Sequence, residues 1–122
     1  MNGWHWHIVF VRPGSPALVD RTGMRTVATT DPKTGIVYLS SALSGGFLTR
    51  VLIHELGHCA IVSFGLLDDI HRLAKPRYWI EAEEWVCNFI ADYGMRIFAT
   101  VYDILGDNAI AYIPAEIERM MA

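Results

Sequence analysis

The sequence predicts an α+β fold: a small antiparallel sheet of three to four strands packed on a motif-bearing helix and a long glutamate-bearing helix, with a short C-terminal helix. Three observations lead there. Residues 4–39 alternate β-branched and aromatic runs with Pro- and Gly-rich turns, the mark of short strands. Residues 47–64 are apolar nearly all round, as in a helix through the middle of a domain. Residues 76–105 form a long segment with helix punctuation at both ends.

Taken in order, residues 4–11 make the first strand and stop at Pro13, Gly14 and Pro16. A weak strand is expected at 17–20. Residues 25–30 and 36–39 flank the turn Asp31-Pro32-Lys33-Thr34-Gly35 and read as two further strands. Ser40, Ser41, Ser44 and the Gly45-Gly46 pair mark a loop and a helix start, and Gly65 is the stop. Residues 68–76 are polar and read as a connecting loop. The long helix has Pro76 near its first turn, a weak spot at Gly94 and Gly106 at its end. A final helix over 114–121, apolar at Ile117, Met120 and Met121, is expected to cap the core.

A chain of 122 residues, 52% apolar and 19% charged, is one folded domain's worth, and residues 1–122 are read as a single domain. The net charge of −3 argues against a nucleic-acid surface. Mean hydropathy is +0.27, yet the candidate spans are interrupted: 34–49 by glycines and serines, 97–113 by Asp103 and Asp107. No transmembrane segment is expected. The N-terminal ten residues carry no signal-peptide pattern. Cys59 and Cys87 sit amid apolar residues with no CxxC pair, which suits a reducing, cytoplasmic setting.

The chemistry lies in VLIHELGHCAIVSFG, residues 51–65. His54-Glu55-Leu56-Gly57-His58 matches H-E-x-x-H, in which two histidines four apart share one helix face and can bind one zinc. Glu55 sits about 100° round the helix, placed to act as general base on a water that the metal acidifies. A buried histidine-glutamate packing cluster is the bland alternative, but such groups are costly in an apolar segment without a partner.

A catalytic zinc takes three protein ligands. The extended H-E-x-x-H-x-x-G-x-x-H pattern fails, because Ile61 and Phe64 stand where Gly and His are needed. On the long helix, Glu81, Glu84, Asn88 and Asp92 share a stripe, whereas Glu83 lies about 100° from Glu84 and is expected to face solvent. Glu84 is the first choice of ligand, with Asn88 one turn on to orient it, and Glu81 is the second choice. His5 and His7 share a strand face without a partnered acid or cysteine nearby and read as part of an aromatic-rich face, and His71, in a charged loop, reads as exposed.

The HELGH segment followed by Glu84-x-x-Cys87-Asn88-x-x-Ala91 resembles the gluzincin metallopeptidases. It is most similar to the ImmA/IrrE-type enzymes common in phages and mobile elements, and to the minigluzincins. The likeness covers about residues 36–98, with Cys87 where those families usually carry a small alanine. It implies zinc ligands His54, His58 and Glu84, and Glu55 as general base. It further implies a zinc metalloendopeptidase acting on a protein or peptide substrate. The alternative is a zinc-binding fold of the same kind that serves as a non-catalytic binding or structural module.

Overall fold

The computed structural model describes residues 1–109. Three strands, β1 (His7–Val11), β2 (Ala28–Asp31) and β3 (Ile36–Ser40), form one sheet in the order β1-β3-β2. The β2–β3 pair is antiparallel, with Ala28 opposite Leu39, as a short turn requires. That turn closes through Gly35 N to Asp31 O at 2.9 Å and through the Asp31 carboxylate, which accepts from Lys33 N and Thr34 Oγ1. Gly35 has φ +70°, and a Cβ there would lie 2.9 Å from the His5 carbonyl, so the position excludes a side chain twice over.

The expected all-antiparallel sheet is corrected at β1, which runs parallel to β3 from His7↔Ile36 to Val11↔Ser40. The long excursion through residues 12–27 supplies the length a parallel crossover needs and leaves β2 at the opposite edge. No strand forms at 17–20. Pro16–Leu18 is a 3₁₀ turn instead, followed by a single antiparallel bridge between Val19 and Arg25.

One face of the sheet carries the core. Val37 and Leu39 alternate along β3 and are wholly buried, each contributing about 1.5–3 kcal/mol through burial. Against them packs α1 (Gly45–Ser63), through Val51 and Cys59 with Leu48, Leu52 and Leu56 at the margin. Trp6 ties the far end by donating from Nε1 to Ser63 Oγ at 2.8 Å.

After Gly65 the chain forms α2 (Leu67–Leu73) where a loop was expected. Asp68 and Asp69 in its first turn and Arg72 in its last favour that helix, and Arg72 bonds Asp69. A 3₁₀ turn at Pro76–Tyr78 leads into α3 (Trp79–Phe89), a π-helical turn (Ile90–Gly94) and α4 (Met95–Leu105). The expected long helix is thus present but interrupted, with the π-turn ending at Gly94. α4 leaves Ile97, Val101, Ile104 and Leu105 exposed. The helix expected at 114–121 lies outside the described residues. No single helix among the described residues is long and apolar enough to cross a membrane.

Candidate metal centre

The site forms where α1 and α3 cross. Helical spacing puts His54 and His58 one above the other, with ring centroids 4.9 Å apart, and Gly57 lets α3 approach closely. Glu84 reaches across from α3. Its Oε2 lies 3.0 Å from His54 Nε2, its Oε1 lies 3.3 Å from His58 Nε2, and the two Nε2 atoms are 3.1 Å apart.

These separations match a metal's coordination shell. Zinc bonds nitrogen and oxygen at about 2.0–2.2 Å, and the edge of a tetrahedron of such bonds is about 3.3 Å. Two imidazole nitrogens and a carboxylate are also the donor types of a catalytic zinc. Each of the three residues offers one ligand atom within 4.8 Å of the others, so the residues present fit the metal. Glu81 is exposed and outside this group.

Glu55, on the same helix, is buried, with Oε2 3.7 Å from His54 Nε2. Thr30 of β2 holds it, donating from Oγ1 to Oε1 at 3.0 Å. Burial raises its carboxyl above the ordinary range, against the lowering pull of the histidines and Thr30.

The surroundings correct one expectation outright. Glu83 does not face solvent: it is 8% exposed and accepts from His58 Nδ1 at 2.5 Å. The reason is the line Glu83-Cys87-Ala91, spaced by four, which is the buried face of α3 and π-turn against α1. An imidazole that keeps Nε2 for a metal uses Nδ1–H to orient itself on such a carboxylate. Although burial opposes it, hydrogen bonding to His58 and Arg21 keeps Glu83 below the usual carboxylate range. His54 and then His58 do the same for Glu84. His54 Nδ1, by contrast, is buried with no hydrogen-bond partner among the described residues.

Asn88 lies beside the site but is engaged elsewhere. Its Oδ1 accepts from Arg50 Nη2 at 3.3 Å, and Arg50 also binds Asp92, so the expected bond to Glu84 is replaced by a brace between α1 and the π-turn. Residues 26–28, Phe47, Arg50, Val51, His54, Glu55 and Asn88 line a cleft of about 200 Å³ along the start of β2.

No family model matches the chain, and neither does any curated protein or solved structure.

Two residues of the centre, Arg21 and Thr30, had no signal in the sequence. Arg21 donates to Glu83 and Glu84 from 62 and 63 residues away, and Thr30 reaches Glu55 across 25. Only for Glu83 was there a clue, the four-residue spacing to Cys87 and Ala91. His71, for its part, stacks on Trp79 at 3.9 Å, and neither it nor His5 and His7 joins the metal-capable group.

Proposed function

We propose that the protein is a zinc-dependent endopeptidase that hydrolyses a peptide bond in a protein or peptide substrate. One observation carries the reading: the convergence of His54 Nε2, His58 Nε2 and the Glu84 carboxylate at separations of 3.0–3.3 Å, with a buried Glu55 beside it. His54, His58 and Glu84 would hold the zinc. A zinc there supplies Lewis-acid polarisation of a carbonyl and acidifies a water.

Glu55 takes the proton of the attacking water at its carboxylate and returns it to the leaving amine. Its raised affinity for protons suits that exchange, and the Thr30 hydroxyl fixes its rotamer. Glu83 holds His58 in the tautomer that presents Nε2.

A peptide substrate is supported by the cleft beside the centre. Residues 26–28 at and before the start of β2 form one wall of a cleft that also exposes His54 and Glu55, so a segment laid along it comes beside the centre. A cleft of about 200 Å³ suits a side chain or two of a segment laid across it, not a whole small molecule. The mobile-element setting implied by the sequence resemblance points to a specific regulator as the target.

Metal analysis of protein purified without chelator should return about one zinc per chain. A denatured peptide library should then gain new termini with the wild type and none with Glu55→Gln. Absence of zinc defeats the reading. Full cleavage by Glu55→Gln defeats the assigned mechanism, and a zinc-loaded wild type that cleaves nothing supports the non-catalytic binding module instead.

A further inference from the structure

We propose that Arg21 is a positioning residue of the metal centre, which ties Glu83 and Glu84 together so that His58 is aimed and Glu84 is left with one oxygen for the metal. This rests on the zinc reading above.

Arg21 is delivered by a stiff hairpin tip. Asp20 Oδ1 accepts from Thr22 N at 2.8 Å, Met24 N at 3.0 Å and Thr22 Oγ1, while Asp20 N and Met24 O close the turn at 2.9 Å. The Val19–Arg25 bridge lies just below, and buried Leu18 anchors the root. An Asx turn of this kind fixes the backbone without any core of its own. The one long side chain it aims at α3 is Arg21.

The guanidinium makes three contacts. Nη1 donates to Glu83 Oε1 at 3.3 Å, and Nη2 donates to Glu83 Oε2 at 3.0 Å and to Glu84 Oε1 at 3.1 Å. Glu83 Oε2 is the oxygen that also receives His58 Nδ1. Glu84 Oε2 is the oxygen that faces His54 Nε2, while Oε1, shared with Arg21, lies 3.3 Å from His58 Nε2. The contacts therefore close a ring from Arg21 through Glu83, His58 and Glu84 back to Arg21.

Two consequences follow from the chemistry of a planar fork. It grips both oxygens of Glu83 while reaching Glu84, a planar two-pronged geometry that an ammonium does not reproduce. By occupying Glu84 Oε1 it also opposes ligation through both oxygens, and a single-oxygen ligand leaves the fourth position of a catalytic zinc open. The charges agree: Glu55, Glu83 and Glu84 balance one zinc and one arginine when the histidines are neutral. Arg21 is 43% exposed in its side chain, so as a surface ion pair it would add little to folding stability. Its effect belongs to the metal.

The test uses the full chain with Zn²⁺ and Co²⁺ as probes, comparing wild type with Arg21→Ala and Arg21→Lys. Competition with a chromophoric chelator should show zinc affinity about 10–100-fold weaker in Arg21→Ala. The visible absorption of bound Co²⁺ should fall in intensity as coordination number rises, and Arg21→Lys should not restore it. Unfolding of the chelator-treated variants should match the wild type. Zinc affinity within twofold of wild type together with an unchanged Co²⁺ spectrum overturns the role of Arg21 and leaves the zinc reading standing. So does a metal-free Arg21→Ala protein that is broadly unfolded while Arg21→Lys shows wild-type affinity and spectrum. A wild type that binds neither metal overturns both.

Discussion

Gly57 and Cys87 touch where the two site-bearing helices cross: a Cβ on Gly57 would lie 3.1 Å from Cys87 Sγ and 3.5 Å from its Cα. Gly57 immediately precedes His58, and Cys87 is three residues beyond Glu84, so this contact sets the distance across which Glu84 reaches the histidines. Gly57→Ala gains about 1 kcal/mol in helix propensity. It loses about 1–3 kcal/mol to overpacking, because Cys87 is wholly buried and has nowhere to yield. The expected result is net destabilisation in urea and weaker zinc binding, both relieved by Cys87→Ala in the same chain. An unchanged zinc affinity in Gly57→Ala would remove the contact's control over the site.

The adjacent glutamates should fail differently. Glu84→Ala removes a metal-facing carboxylate and should abolish zinc retention through gel filtration. Glu83→Ala leaves all three metal-facing side chains but frees His58 Nδ1, and should weaken zinc by about 10–100-fold. Equilibrium dialysis distinguishes them, and equal losses would contradict the division of labour.

Glu55→Gln keeps the volume and the bond to Thr30 while removing the proposed base. Zinc content should stay near one per chain while turnover falls by about 10²–10⁴-fold. Thr30→Val should lower turnover less, because it loosens the carboxylate without deleting it.

Zinc binding should strengthen with pH. Burial alone would lower His58, but its contacts with Cys87, Glu83 and Glu84 raise it to about 12, so a proton must leave before Nε2 can ligate. Affinity should rise about tenfold per pH unit for each proton released between pH 6 and 8. In chelator the sign reverses for stability. The raised His58 contributes fully below its ordinary value of 6.5 and loses that contribution as pH rises toward its folded value. Glu83, lowered from 4.5, contributes above that value and is lost as pH falls. Titration calorimetry across pH checks the first trend and urea unfolding in chelator the second.

What the sequence disclosed follows the range of the interactions involved. The pairing of His54 with His58 is set by four residues of helix and needs nothing else. Glu84 was reachable because α3 also has a regular phase. Glu83 was misplaced because phase alone does not say which side of a helix another helix covers; that depended on Cys87 and Ala91 packing against α1. The parallel pairing of β1 and the approach of Arg21 depend on a 16-residue excursion that carries no periodic signal (residues 12–27).

The π-turn at Ile90–Gly94 puts one surplus residue into what would otherwise be a continuous helix from Trp79 to Leu105. Its two halves are therefore out of step, like two cams keyed differently on one shaft. Dropping a single residue from the turn would leave Glu83 and Glu84 facing α1 as they do now. It would swing Ile97, Val101, Ile104 and Leu105 about 100° around the axis. The outer apolar surface can thus be re-aimed by a one-residue change in length, while His54, His58 and Glu84 stay on helical turns that precede the change.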